Sequence, residues 1–315
     1  MDSTLSFAAA LGAAHAFAGG PAETPQTGVA CDTLLYRHLP AHKYHGDRDA
    51  LSCSMMKPLL VSPAHFQEAL IAGDKQSDAK DFGTLVHLLL LQPHLVSEEL
   101  AVYPGVADRT QACSSFWSSH PGRLVVDEPT FASGRRLAQK LAETPYKGRP
   151  LQRFIEEGIP EATIYFTEPA TGLRMRVRID LMHPDISFDL KTTRHAAARQ
   201  FVRDAVDKDY DLQAYMYSLA RCLYEGATVA KPFVFVAGES AAPHSVHILT
   251  AGETLLNNGL AKFEDCASAF KACSSTNFWP DLSTEGVADI DVWQQHKTGS
   301  WRAALASAAG STHAH

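Results

Sequence analysis

The stretch Arg174–Lys191, with the sequence RMRVRIDLMHPDISFDLK, predicts a β-hairpin. Apolar residues alternate or cluster in each half of it as they do in strands: Met175, Val177 and Ile179, then Ile186, Phe188 and Leu190. The break between the halves, His183-Pro184-Asp185, consists of residues that favour turns. The hairpin therefore places Asp180 near the end of one strand and Asp189 in the middle of the next.

This predicted hairpin brings two carboxylates and a lysine together. Residues on neighbouring antiparallel strands approach within a few ångströms, so Asp180 and Asp189 would repel each other unless a cation lay between them. Carboxylate oxygens suit Mg²⁺ or Mn²⁺. Lys191 points to the same sheet face as Asp189, because strand side chains repeat with a period of two. An ammonium beside a carboxylate-bound metal can orient a water and stabilise a charged phosphoryl transition state, so the hairpin indicates a metal-dependent phosphodiesterase.

Each candidate residue also has an ordinary structural interpretation. An Asp-x-Lys triplet is commonly a weak ion pair at a strand edge. His87 lies in the Leu-rich run Leu85–Leu91, which predicts a buried helix, and it could be a core histidine bonded to the backbone. Gln213 and Tyr217 share one face of a predicted helix, which is common in amphipathic helices. Glu161 precedes a predicted apolar strand and could be a solvated strand end.

The order of these residues along the chain resembles a known family. It is similar to the RecB-type branch of the PD-(D/E)XK nuclease superfamily, and more narrowly to the RecE-type exodeoxyribonuclease VIII nuclease domain of phages and prophages. The matching positions are Gly83-Thr84-x-x-His87, Glu161, Asp180, Asp189-x-Lys191 and Gln213-x-x-x-Tyr217, with supporting segments at Leu51–Lys57, Ser62–Phe66 and Lys231–Val236. The resemblance runs from Tyr44 to Trp293. One departure is Arg178-Ile179 before Asp180, where many relatives carry Gly or Pro.

The resemblance implies a fold and a set of site residues. The fold would be α/β with a PD-(D/E)XK core of order αβββαβ, in which helices flank a central mixed sheet. The cofactor would be Mg²⁺, for which Mn²⁺ could substitute. The metal ligands would be His87, Asp180, Asp189, the Leu190 carbonyl and, for a second ion or a bound water, Glu161. Lys191 would position or deprotonate the attacking water, and Gln213 and Tyr217 would hold the substrate strand or the metal shell.

The resemblance also implies an activity. It is digestion of linear double-stranded DNA from its ends in the 5′-to-3′ direction, leaving 3′ overhangs for a single-strand annealing partner in recombination. A closed, ring-shaped homo-oligomer that admits a DNA end belongs to the same expectation. Two alternatives stay open: a structure-specific or restriction-type endonuclease with the same site, and a catalytically decayed DNA-binding scaffold on the same fold.

The charge balance argues against a protein that coats DNA broadly. The chain has 28 Lys and Arg residues against 35 Asp and Glu residues, a net charge of −7. The segment 149–210 is neutral, so the remainder of the chain carries the negative charge. Within that segment Arg174, Arg176 and Arg178 would share one strand face, and they are candidates for contact with DNA backbone phosphates.

Composition sets the expected domain boundaries and the expected compartment. Residues 1–30 lack the basic start of a secretory signal and predict a disordered low-complexity arm. The nuclease domain is expected over 31–298 and a flexible tail over 299–315. The six cysteines form no C-x-x-C pair, which argues against zinc or an iron–sulfur cluster, and without an export signal they favour a reducing cytoplasm. The resemblance implies that this is the cytoplasm of a bacterial or phage-infected bacterial cell. No apolar run reaches the roughly 20 residues of a membrane span.

The remaining secondary structure is predicted from periodicity and turn residues. Helical structure is expected over 51–92, 127–143, 148–157, 196–224 and 252–272, strands over 161–167, 173–181, 186–192, 231–238 and 244–250, and irregular chain over 100–124.

Overall fold

The computed structural model describes residues 24–29, 32–73 and 77–282. The expected tail over 299–315 and most of the expected arm over 1–30 lie outside these ranges. A short strand, Gln26–Thr27, nevertheless lies within the segment predicted as an arm.

The described residues form strands and helices in the following order. The strands are β1 (Gln26–Thr27), β2 (Leu34–Tyr36), β3 (Leu100–Tyr103), β4 (Leu124–Asp127), β5 (Pro145–Tyr146), β6 (Arg149–Pro150), β7 (Ile159–Thr167), β8 (Arg174–His183), β9 (Ile186–Thr193), β10 (Phe233–Glu239) and β11 (Val246–Thr250). The helices are α1 (Ala41–Gly46), α2 (Cys53–Met56), α3 (Pro63–Ala72), α4 (Asp78–Leu91), α5 (Val96–Glu99), α6 (Gln111–Ser118), α7 (Glu128–Glu143), α8 (Leu151–Glu157), α9 (Ala198–Asp207), α10 (Tyr210–Glu225) and α11 (Glu253–Thr276). Short 3₁₀ turns occupy Lys57–Leu60 and Pro93–Leu95.

A seven-stranded mixed sheet organises these elements. Its strand order is β1-β2-β7-β8-β9-β10-β11. All neighbours are antiparallel except β9 and β10, which run parallel and are joined through α9 and α10. The succession α4, β7, β8, β9, α10, β10 is the predicted αβββαβ core, with α5 to α8 inserted between its first helix and first strand. The predicted fold class is confirmed.

Apolar side chains bury both faces of the sheet. On one face α10 and α11 pack over a core that includes Met175, Val177 and Ile179 of β8. On the other face α4, α7 and α8 cover a second core that includes Phe188 and Leu190 of β9. A strand that is buried on both faces needs apolar residues facing both ways, which accounts for the runs of apolar residues in these strands. Polar residues held within these strands are therefore exceptions that require partners.

The two helices that border the sheet centre have defined ends. The Ser77 hydroxyl accepts a hydrogen bond from the Lys80 amide and caps the start of α4. Helix α10 begins after Asp209, which adopts φ 55°, and ends before Gly226, which adopts φ 64°. The left-handed conformation of Asp209 also explains why the predicted continuous helix over 196–224 is two helices, α9 and α10.

The segment predicted to be irregular also differs from expectation. Between residues 100 and 124 the chain forms β3 and α6, and β3 pairs in parallel with β4 in a separate two-stranded sheet. Its strands, LAVY and LVVD, have only four residues each and lack the apolar–polar alternation that identifies a strand. Among the described residues, none of the helices is long and apolar enough to cross a membrane.

Candidate active site

Strands β8 and β9 separate at the centre of the sheet. Their ladder runs from His183 and Ile186 to Leu181 and Phe188, and the register places the next residues, Asp180 and Asp189, on adjacent strands where the ladder ends. The Leu190 amide donates a hydrogen bond to the Asp180 carboxylate at 2.6 Å in place of a ladder bond. The opening between the strands therefore begins at the two predicted carboxylates.

The residues before α2 occupy the free edge of β8. Leu51 forms a parallel bridge with Met175. The Leu51 amide donates to the Arg174 carbonyl, and the Arg176 amide donates to the Leu51 carbonyl, both at 2.9 Å. These bonds satisfy backbone groups that β9 leaves unpaired. The N-terminal part of the chain thus forms one wall of the opening.

Glu161 reaches the same opening from β7. It is the third residue of that strand, which begins two residues before the strand predicted over 161–167, and the pairs Ala162–Ile179 and Pro160–Leu181 place it across from Asp180. Its backbone adopts φ 52°, which is uncommon for a non-glycine residue and is typical of functional sites. This conformation interrupts the pleat of β7 at the residue that faces Asp180.

His87, Glu161 and Asp180 form a compact group of metal-binding side chains. His87 projects from α4 with its Nδ1 atom 3.5 Å from Glu161 Oε1 and its Nε2 atom 3.8 Å from Asp180 Oδ2. One ligand atom from each residue lies within 4.8 Å of the others. The Leu190 carbonyl oxygen is 3.1 Å from His87 Nε2. Two carboxylates, an imidazole and a carbonyl are a donor set that fits a divalent cation.

Protons take part in the electrostatics of this group. Burial lowers the pKa of His87, but the negative charges of Asp180 and Glu161 outweigh burial and raise it to about 9. Burial raises the pKa of Asp180 to about 7, with Asp189 and Glu161 adding to the rise and His87 opposing it. Near neutral pH the group therefore holds protons at positions that a divalent cation could occupy.

Asp189 makes a separate set of contacts on the α10 side of the opening. Its side chain is fully buried, and its Oδ1 atom accepts a hydrogen bond from Gln213 Nε2 at 2.6 Å. Its Oδ2 atom lies 2.7 Å from Lys191 Nζ, which also donates to Gln213 Oε1 at 3.0 Å. Asp189 does not belong to the compact group of His87, Glu161 and Asp180. The assignment of Asp189 as a ligand of the same cation as Asp180 therefore stays a prediction.

Lys191 is a fixed cation in this arrangement. Burial lowers its pKa, but Asp189 and Asp180 outweigh burial and raise the pKa of Lys191 above its usual range. Its Nζ atom lies 4.6 Å from the centroid of the Tyr210 ring, which adds a cation–π contact. Tyr210 was not predicted as a site residue. Its position three residues before Gln213, on the same helix face, is the sequence signal that could have identified it.

Tyr217 lies one helical turn beyond Gln213 and is buried. Its side chain is 8% exposed and its ring packs against Phe233, with 6.2 Å between the centroids. Burial raises the pKa of Tyr217 well above its usual value, so the phenol remains neutral. The residue adjoins the site from inside the core.

The three arginines of β8 bind protein groups. Arg176 is 2% exposed, and its guanidinium donates to the Ala50 carbonyl. The Arg178 side chain is 11% exposed, donates to the Leu39 carbonyl at 2.7 Å and lies 4.3 Å from the centroid of the Tyr44 ring. Arg174 lies over the Tyr165 ring. The predicted shared strand face exists, but the N-terminal segment covers it, which is contrary to the expected phosphate contact for the buried Arg176.

Comparisons with known proteins agree with this fold. Residues 52–289 match the family described as "PDDEXK-like domain of unknown function (DUF3799)". A crystal structure from Eubacterium rectale, described as a "Putative exonuclease", superposes with a TM-score of 0.54 at 14% sequence identity and covers 81% of this chain and 96% of its own. No curated protein matches the sequence. The family match covers most of the chain, so this protein belongs to the PDDEXK-like family, and the fold and the site together support a nuclease.

Proposed function

We propose that this protein is a Mg²⁺-dependent exodeoxyribonuclease that degrades linear double-stranded DNA from its ends. The observation that carries the proposal is the opening between β8 and β9. There the group of His87, Glu161 and Asp180 lies beside the Asp189–Lys191 pair. One side offers ligands for a divalent cation, and the other offers a fixed ammonium for a reacting phosphate.

The residues divide the work of phosphodiester hydrolysis. His87, Glu161 and Asp180 would hold the cation with the Leu190 carbonyl, and we assign Asp189 on the adjacent strand to the same cluster. A bound divalent cation would polarise the phosphoryl oxygen and lower the pKa of a nearby water. Lys191 would orient the attacking water and offset the charge that builds on the phosphoryl group.

Gln213 and Tyr217 would act from α10 as supports. Gln213 bonds to both Asp189 and Lys191, so it fixes the carboxylate and the ammonium relative to each other. Tyr217 fills the core beneath them and remains neutral. These contacts from α10 would keep the Lys191 ammonium in a fixed position relative to the substrate phosphate.

The proposal extends to polarity and partners. Digestion in the 5′-to-3′ direction would leave 3′ overhangs, which are substrates for a single-strand annealing protein in recombination. A ring-shaped homo-oligomer around the duplex would confine cleavage to ends, and a net charge of −7 fits contact with DNA inside a restricted channel better than broad coating.

Incubation of the purified protein with Mg²⁺ and either linear or covalently closed duplex DNA tests the proposal. The expected result is loss of linear duplex, accumulation of single-stranded intermediates and survival of closed circles. Cleavage of closed circles would instead establish the restriction-type alternative. No cleavage of either DNA, despite metal binding, would identify a decayed scaffold.

Lys191→Ala tests the site assignment within the same assay. The variant should still bind metal and DNA, because the ammonium is not a ligand. Its turnover should fall by roughly two orders of magnitude or more, because a positioned water and charge stabilisation both lower the barrier. Wild-type turnover in Lys191→Ala would place the chemistry elsewhere.

A further inference from the structure

Lys57 shares an aromatic platform with Lys191. Its Nζ atom lies 5.5 Å from the centroid of the Tyr210 ring, and Lys191 Nζ lies 4.6 Å from the same centroid. The two ammonium nitrogens are thus within about 10 Å of each other, the two distances added. Because a DNA strand carries a phosphate about every 3.4 Å along its axis, one strand can contact both cations.

The Lys57 charge remains available for a ligand. Its Nζ atom donates to the Lys208 carbonyl. Within the described parts of the chain, no carboxylate oxygen is recorded within 4.0 Å of it. The two nearby lysines differ, because Lys191 is bound by Asp189 and Lys262 by Asp209 and Asp211. Lys57 is also partly exposed, so a ligand can reach its ammonium group.

The local fold holds Lys57 in place. Ser52 caps α2, and the 3₁₀ turn that begins at Lys57 has Pro58 as its second residue. Ser54, which is exposed, and Lys57 line one end of an open groove of about 520 Å³ that continues along α3. Lys57 thus borders this groove and, through its contact with the Tyr210 ring, the surroundings of Lys191.

We propose that Lys57 is a DNA-positioning residue that binds a backbone phosphate of the strand whose scissile phosphate faces Lys191. The proposal rests on the proposed nuclease function and names a contact that this function requires. Lys191 is fixed by Asp189 and Gln213 and would act on the scissile phosphate. Lys57 would bind a nearby phosphate of the same DNA strand. The Tyr210 ring orients both ammonium groups through its electron-rich faces.

The bond from Lys57 to the Lys208 carbonyl suggests a purely structural role as the competing explanation. Lys140 provides a matched control, since it is exposed on α7 and its Nζ atom donates to the Pro243 carbonyl at 2.7 Å. The experiment compares wild type, Lys57→Gln, Lys57→Arg and Lys140→Gln. Steady-state cleavage of linear duplex with Mg²⁺ is measured across a salt series, beside thermal unfolding.

Lys57→Gln should raise KM by about tenfold with kcat nearly unchanged. It should reduce the slope of log(kcat/KM) against log salt by about 0.9, as expected for one lost phosphate contact. Lys57→Arg should restore both values, and Lys140→Gln should match wild type. An unchanged salt slope in Lys57→Gln would overturn the proposal. The proposal also fails if Lys57→Arg behaves like Lys57→Gln and both variants unfold at a lower temperature than wild type.

Fluorescence anisotropy of a labelled duplex, over the same salt series, separates this proposal from the proposed function. Anisotropy requires no turnover, so the loss of slope in Lys57→Gln remains measurable even if wild type cleaves no DNA. A slope of log Kd for DNA against log salt that differs from wild type only in the Lys57→Gln variant supports the phosphate contact. Equal slopes in all four proteins refute it, whatever the nuclease assay shows.

Discussion

Protons on His87 and Asp180 compete with a divalent cation for the same group of side chains. The pKa of His87 is about 9 without metal and that of Asp180 is about 7, so metal binding near neutral pH must release protons. Apparent metal affinity should therefore rise with pH up to about 9. Calorimetric titration with Mn²⁺ in buffers of different ionisation enthalpy measures the released protons. His87→Ala should bind more weakly and show a flatter pH dependence between pH 7 and 9. An identical slope in that variant would contradict the assignment of the proton to His87.

Arg178 offers a second prediction at the scale of single residues. Its guanidinium is fixed by the Leu39 carbonyl and by Thr163 Oγ1, and its Nε atom lies 4.0 Å from Glu161 Oε2. It therefore holds the Glu161 carboxylate in place on the Asp180 side of the opening. Arg178→Gln should raise the Mg²⁺ concentration needed for half-maximal cleavage by several fold.

Arg176→Gln is the matched control for Arg178→Gln. Arg176 is also buried beside Tyr44, but it bonds to the Ala50 carbonyl and makes no recorded contact with Glu161. Its loss should lower the free energy of unfolding by about 2 kcal/mol, because a buried acceptor loses its partner, and leave the Mg²⁺ requirement unchanged. If both variants shift the Mg²⁺ requirement equally, Arg178 has no specific action on Glu161.

Residue types identified much of the candidate site, but not its contacts. The period of two predicted that Lys191 and Asp189 share a face, and their atoms lie 2.7 Å apart. The assignment of ligands by role stays a prediction. Sequence could not show that Glu161 adopts φ 52°, because that conformation is imposed by strand neighbours. It also could not show that Arg176 is covered, since its cover comes from Ala50, more than a hundred residues away.

At the scale of elements, the distance between α4 and β9 depends on a glycine. A Cβ atom at Gly83 would lie 3.1 Å from Thr192 Oγ1, closer than most side-chain contacts. One turn further along α4, His87 lies 3.1 Å from the Leu190 carbonyl. The absence of a side chain at Gly83 therefore lets α4 approach β9 closely enough for His87 to reach the opening.

Gly83→Ala should separate activity from stability. Alanine stabilises a helix relative to glycine by about 1 kcal/mol, which offsets the cost of the close contact with Thr192, so the melting temperature should change little. Displacement of His87 should raise the Mg²⁺ concentration needed for half-maximal cleavage. Adding Thr192→Ala removes the contacting hydroxyl and should restore the wild-type Mg²⁺ titration. A normal titration in Gly83→Ala would mean that β9 accommodates the extra carbon. Failure of the double variant to recover would mean that the loss does not arise from Thr192.

Long elements with clear periodicity were predicted from the sequence. The hairpin strands expected over 173–181 and 186–192 are β8 and β9, within two residues at each end. The helix expected over 252–272 is α11. The break between α9 and α10 was missed, because Asp209 carries no turn signal as strong as glycine or proline. The pairing of β3 with β4 depends on contacts across twenty residues, which local pattern does not encode.

At the scale of the whole described fold, residues that are far apart in the sequence come together in one small site. His87 and Gln213 are more than a hundred residues apart, yet they border one opening between two strands. Leu51 pairs with β8 from Arg174 to Arg176, on the edge that β9 leaves free. The site is therefore built from the N-terminal segment, the central strands and α10 together, so its stability and its metal affinity are coupled.

Asp180 tests that coupling. Its pKa is raised from 3.8 to about 7, so the folded state holds this proton more tightly than the unfolded state does. The contribution of Asp180 to stability is therefore present below pH 3.8 and is lost as pH rises through 7. At pH 8 the ionised carboxylate destabilises the metal-free protein, and metal binding to the folded state reverses the effect.

Asp180→Asn should thus change the melting temperature in opposite directions with and without metal. At pH 8 without metal, the variant should melt a few degrees above wild type, because the neutral amide oxygen can still accept the Leu190 amide hydrogen bond. With Mn²⁺ at about 100 times the wild-type dissociation constant, wild type should gain about 2.7 kcal/mol and the variant almost nothing. Asp204→Asn, which alters an ion pair between α9 and Lys208 just after it, should follow wild type in both conditions. A metal-induced shift retained in Asp180→Asn would remove Asp180 from the ligand set, and a lower melting temperature without metal would show that its charge stabilises the fold.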